Sequence, residues 1–147
     1  MMKNKIFFCI GLLFGIVSLI SLPSCRKAPI NGKLDAQWQI MKIEHIEEGI
    51  EWTPDRRTYI DINLHVVNLR NVTQSENPGA VIAGNLKYDK DAATVTMDFP
   101  YNTEGDKLQA LQSWGIYSNP VIFHIVKLDS KQLILKSSET IVTCRRY

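Results

Sequence analysis

Cysteine is scarce in this chain. Of its 147 residues only Cys9, Cys25 and Cys144 carry a thiol, and they lie far apart. That excludes the disulfide framework that staples many small exported domains, so stability must come from a hydrophobic core. Charge of one sign is also in short supply: 17 basic against 15 acidic residues leave +2. Lys3 and Lys5 account for that excess, and from residue 25 onward the two signs balance. Nucleic-acid binding, which needs a clustered positive face, is excluded on that ground. Signatures of catalysis are missing as well. No Gly-x-Ser-x-Gly, P-loop or dinucleotide fingerprint occurs, and His45, His65 and His124 are scattered without metal-ligand spacing. The expectation is a protein that is not an enzyme, with no catalytic residue, no metal site and no cofactor.

What the chain does have begins at its first residues. Met1 to Lys5 holds two lysines and no acid, and Ile6 to Leu22 is seventeen residues without a charge, closing on small residues before a cysteine. This is the pattern of a bacterial secretory signal. A retained membrane helix is the competing reading, but seventeen apolar residues sit at the lower edge of what spans a bilayer. Leu22-Pro23-Ser24-Cys25 resembles the lipobox, in which a peptidase cuts before the cysteine once its sulfur carries a diacylglycerol. The resemblance implies a mature chain starting at Cys25 and held to a membrane by N-terminal acyl chains such as palmitate. Each buried methylene contributes about 0.8 kcal/mol, and two or three chains anchor stably where one does not. Residues 26–34 contain Pro29, Asn31 and Gly32 and read as a tether reaching roughly 30 Å when extended. The expected division is therefore 1–24 signal peptide, 25–34 acylated cysteine and tether, and 35–147 a single folded domain.

Within that domain the apolar pattern has period two. Ile60, Ile62, Leu64 and Val66 face one way while Asp61, Asn63 and His65 face the other, which makes 58–69 one half-buried strand. Val95, Met97 and Phe99 alternate with polar residues in the same manner. Further strands are expected at 37–46, 50–53, 81–88, 121–128, 132–137 and 140–147, making eight in all. Polar turns separate neighbours, so the fold class is all-β: an eight-stranded antiparallel up-and-down barrel, which removes sheet edges by closing. One short helix is expected near residues 104–114, with Thr103 at its cap and Gly115 at its stop. Too short to persist alone, it must pack Leu108, Leu111 and Trp114 on the sheet. His124, inside an apolar run, is expected as hydrogen-bonded core, and Cys144 as a small buried hydrophobe.

Leu34-Asp35-Ala36-Gln37-Trp38 opening the first strand, a late Leu133-Ile134-Leu135 strand and a closing Cys144-Arg145-Arg146-Tyr147, behind a lipobox, together resemble the lipocalin-like lipoproteins of Bacteroidetes. The resemblance implies barrel closure by a basic residue, Arg145 or Arg146, stacked on Trp38. In those lipoproteins surface export goes with acidic residues after the cysteine; Arg26-Lys27 stands here instead, so a periplasm-facing outer-membrane position is expected. Function then divides in two. In the first reading a monomer binds a small apolar or amphipathic ligand inside the barrel or at its mouth, near Trp114, Leu108, Leu111 and Trp52. In the second the barrel is a solid scaffold and loops such as Asn71 to Gly79 meet an envelope protein or glycan. A carbon-lined cavity supports the first reading, and a filled interior the second.

Overall fold

The computed structural model describes residues 29–54, 57–72, 81–102 and 105–147. The signal segment and Cys25 lie outside them. Among the described residues nine strands form one antiparallel sheet: β1 (Ala36–His45), β2 (Ile50–Trp52), β3 (Thr58–Asn63), β4 (Val66–Asn71), β5 (Val81–Asp89), β6 (Thr94–Asp98), β7 (Val121–Leu128), β8 (Gln132–Lys136) and β9 (Thr140–Arg146). Eight of them, β1 and β3 to β9, run up and down in chain order, and β9 pairs back onto β1 from Trp38↔Arg146 to His45↔Thr140, closing the barrel. β1 is long enough to take two partners along one edge. Its first half pairs with β3 and its last three residues with β2, which therefore stands outside the ring.

The count of eight barrel strands is as expected, but two assignments beneath it change. The segment 58–69, read as one strand, is a hairpin that reverses at Leu64-His65, with Asn63 opposite Val66 and Ile62 opposite Val67. The reversal shifts the parity. Ile60, Ile62, Val67 and Leu69 are buried, whereas Val66, expected beside Ile62, is 44% exposed. The turn carries no glycine, asparagine or aspartate, the residues that usually mark a two-residue hairpin. Leu64 instead takes a positive φ of 58°, uncommon for a side chain of its kind, and contacts from another part of the chain hold it there. Asp35 Oδ1 accepts the Leu64 N–H at 3.0 Å, and the Asn31 amide donates to the Leu64 carbonyl. Residues 31–34, expected within the tether, thus belong to the folded body: Gly32–Leu34 is a 3-10 turn, and Leu34 and Asn31 are buried.

Elsewhere the alternation is followed except at two β-bulges. Val95, Met97, Val121, Phe123, Leu133, Leu135, Val142 and Cys144 point inward and are all but inaccessible. Two β-bulges, between Ile40 and Lys42 and between Ile125 and Lys127, each add one residue and re-aim the side chains beyond it. That is why β1 buries Trp38, Ile40 and Ile43, spaced by two and then by three. His124 is on the outer face and exposed, a correction to its expected place in the core. Phe123 and the bulge-adjacent Ile125 take the inward direction around it, and an apolar run cannot reveal its parity when outward positions are apolar too. Between β6 and β7 the chain forms a helix, α1 (Gly105–Gln109), that tightens into a 3-10 turn over Ala110–Trp114. The helix expected at 104–114 is present as this two-part element; Thr103 lies outside the described residues. No helix among the described residues is long and apolar enough to cross a membrane.

Candidate functional site

The lower end of the barrel, where β1 starts, is closed by the 3-10 turn and by Trp38. The indole is fully buried, and its Nε1–H donates to the Leu34 carbonyl at 2.9 Å. Arg146 places its guanidinium carbon 5.8 Å from the centre of the indole, within range of a cation–π contact. Arg145 does something else. On the opposite face of β9, it donates through Nε to Gln39 Oε1 at 2.8 Å. One β-strand cannot send adjacent side chains to the same face, so only one of the two arginines can stack on the tryptophan.

At the upper end α1 and its 3-10 continuation bring Leu111, Trp114 and Ile116 over the barrel mouth. Leu111 and Ile116 are wholly buried and Trp114 nearly so, its Nε1–H donating to the Tyr59 carbonyl at 3.2 Å. Gly115 ends this element at φ 74°, and its carbonyl accepts the Thr140 hydroxyl at 2.6 Å. A side chain there has no room, since a Cβ would lie 2.8 Å from Val142 Cγ2 and 3.0 Å from Ile43 Cγ2. Asn119 fastens the insertion at its base, accepting the Phe99 N–H at 2.9 Å and donating to the Phe99 and Asn102 carbonyls at 2.7 and 3.1 Å. Leu108 is half-buried at the rim of the same core, and Trp52, on the outlying β2, is likewise half-buried. The structure thus brings Leu108, Leu111 and Trp114 together, and it uses them as a plug.

Between these ends the interior is filled. Trp38, Phe99, Phe123, Met97, Leu69 and Leu133 stand among side chains with no surface that water reaches, so no void of even one water molecule lies against them. Small residues make room for large ones: at Gly84 a Cβ would fall 2.6 Å from the Phe99 ring. Cys144 is part of this packing, its thiol pushed far up by burial and so held neutral.

Concavity is found on the outside. A groove of about 700 Å³ runs along β7 and β8, lined by Pro120, Ile122, His124, Lys136 and Ser138. Two others, of about 400 and 340 Å³, lie across β1, β3 and β4 and share Gln37 and Arg70. Neither Trp52, Leu108, Leu111 nor Trp114 lines any of them. The second pair centres on an aromatic cluster that strand patterning passed over. Tyr59 points outward from β3 yet is only 7% exposed. The Arg70 guanidinium lies 5.2 Å from its ring centre, and Tyr147, itself 72% exposed, meets it edge-on at 5.3 Å. Arg70 also stands 3.2 Å from Asp61 Oδ2. A tyrosine and an arginine at outward positions of paired strands were a signal, but their register, Tyr59↔Arg70, became readable only once the hairpin was known.

The geometry is that of a small closed antiparallel barrel with plugged ends. A family model described as a lipocalin-like domain matches residues 18–147. The chain belongs to the lipocalin-like domain family. Among solved structures it is similar to a lipocalin-like protein from Bacteroides uniformis, at 14% identity and a TM-score of 0.63, covering 79% of this chain and all of the other. It is also similar to an uncharacterized protein from Bacteroides eggerthii, at 12% identity and a TM-score of 0.55, covering 76% of this chain and 98% of the other. At such identities the likeness concerns the fold. No curated protein matches the chain.

Proposed function

We propose that this lipocalin-like protein is an envelope lipoprotein, acylated on Cys25 and seated in the outer membrane facing the periplasm, whose barrel recognises its ligand on the outer surface. The observation that carries the second half is the filled interior. A lipocalin-type fold serves binding in general, and eight strands enclose a space that side chains can fill or that one small ligand can occupy. Here Trp38, Phe99 and Phe123 occupy it, with plugs at both ends. An apolar guest would have to displace core side chains, at a cost comparable to opening the core itself. The grooves on the outside need no such rearrangement.

The test is native mass spectrometry of the full-length protein purified from membranes, with a fatty-acid and lipid titration followed by tryptophan emission. The expected results are a mass with no ligand beyond the covalent acyl chains, and emission unmoved because Trp38 and Trp114 are already buried and the half-buried Trp52 stands on β2, outside the ring. A saturable emission shift, or a co-purifying apolar molecule, would replace this reading with a small apolar or amphipathic ligand held at the mouth by Leu108, Leu111, Trp114 and Trp52. The anchoring half is tested separately. Cys25→Ser should abolish labelling by a palmitate analogue, and protease treatment of intact cells should leave the domain untouched.

A further inference from the structure

Among the outer grooves, the pair across β1, β3 and β4 has the more specific chemistry. The floor of the one is Tyr59 and one of its walls is the exposed ring of Tyr147; Gln37 and Arg70 line both, so the two grooves adjoin and are together called the trench. Charges in the trench are not all free. Asp35 is spent on the Asn31 amide and the Leu64 N–H, and Asp61 is paired with Arg70. Arg57, exposed at the upper part of the trench, has no acidic partner among the described residues, which leaves one uncompensated cation. The Asp61–Arg70 pair is itself incomplete. Arg70 Nε meets Asp61 Oδ2 at 3.2 Å outside hydrogen-bond geometry, and the buried Asp61 Oδ1 has no hydrogen-bond partner among the described residues, although buried polar atoms are normally matched.

An exposed aromatic face, planar amide and carboxylate groups for hydroxyls, and one guanidinium without an acidic partner among the described residues make up a consistent donor and acceptor set for a sugar with one anion. The ring packs against a flat, weakly polar face of C–H groups, Gln37 and Asn63 both donate and accept, and the guanidinium holds a carboxylate in its fork. A polyanion does not suit the site, because the carboxylates of Asp35 and Asp61 line it. We infer that the trench formed by Gln37, Arg57, Tyr59, Arg70 and Tyr147 binds a sugar carrying a single carboxylate, with the sugar face on Tyr147 and the carboxylate on Arg57. This rests on the exterior reading above and names its ligand class.

Calorimetric titration of the full-length protein with cellobiouronic acid and with cellobiose, which differ by the one carboxylate, tests it. The acidic disaccharide should bind saturably and about tenfold more tightly than the neutral one, the scale of a hydrogen bond to a charged group. Arg57→Ala should erase that preference, so that the acid binds no more tightly than cellobiose does to the same variant. Arg57→Lys, which keeps the charge and loses the fork, should restore it in part. Tyr147→Ala should weaken both sugars severalfold. Both side chains are exposed, so neither change threatens the fold. Equal binding of the two sugars, no saturable heat with the acid, or indifference to Arg57→Ala and Tyr147→Ala would each overturn the assignment. If the sugars fail and the lipid titration is silent too, this ligand class falls and the exterior reading stands. A lipid bound inside removes the exterior reading itself.

Discussion

At the lower end of the barrel the closing residues, 31–38, are contiguous with the first strand, while at the upper end residues 105–116 arrive as an insertion between β6 and β7. Both plugs combine burial with hydrogen bonds to backbone, and they differ in what they hold. At the lower end Leu34 and Trp38 are buried, Trp38 donates to Leu34, and Asn31 and Asp35 reach across to fix the hairpin turn at Leu64. At the upper end Leu111 and Ile116 are buried, Trp114 donates to Tyr59, Thr140 donates to Gly115, and Gly115 is wedged against Ile43 and Val142. A short segment beside its own strand has little chain entropy to lose, whereas a long insertion loses more on ordering and needs both apolar area and anchoring bonds to recover it.

The contrast is open to attack by mutation. Trp38→Ala should cost about 3–5 kcal/mol in urea unfolding, and Leu111→Ala about 2–4 kcal/mol, since both delete wholly buried apolar side chains. A loss below about 1 kcal/mol at Leu111 would show that the upper plug lifts away freely and that the two ends differ more than their packing suggests. Gly115→Ala comes next, at about 1–3 kcal/mol, because it combines a positive φ with a Cβ forced onto Val142 and Ile43. An unchanged melting temperature there would contradict the wedge.

At the lower end Asp35→Ala should cost about 1–2 kcal/mol, freeing the Leu64 turn and the Asn31 amide together. Amide exchange at Leu64 should quicken more than at Gly115, and equal acceleration at both would mean that the ends are coupled through the core. The smallest effect belongs to Asp129, whose Oδ1 accepts the Lys131 and Gln132 N–H groups at 2.7 and 2.8 Å. Those bonds, helped by the nearby Lys127, hold its carboxyl below the ordinary range. A carboxyl with a lowered folded pKa stabilises above its unfolded value and loses that contribution as pH falls through the folded one. Asp129→Asn should therefore slightly flatten the acid limb of the stability curve and leave neutral pH almost unaffected; an unaltered acid limb would remove the turn's electrostatic role.

Much of this was legible in advance because inward and outward positions differ in polarity. Val95, Met97 and Phe99 were placed correctly by alternation alone, and Cys144 was expected as a buried hydrophobe, which it is. The hairpin at Leu64-His65 was not, because its turn carries no turn residue and is held by Asn31 and Asp35, about thirty residues earlier in the chain. His124 was misplaced where outward Ile122 and Val126 blurred the alternation. The Tyr59, Arg70 and Tyr147 cluster escaped notice because it depends on register across strands.

The sequence by itself determined an all-β barrel closed between its first and last strands, without disulfides and with a short helical insertion, since periodicity and turn chemistry are local properties of the chain. Only the tertiary structure decided that the barrel is full, that Arg146 and not Arg145 faces Trp38, and that Leu111 and Trp114 plug the mouth instead of lining it. Those outcomes depend on how side-chain volumes from eight strands and an insertion sum within one enclosed space, and on which way each bulge turns the residues after it.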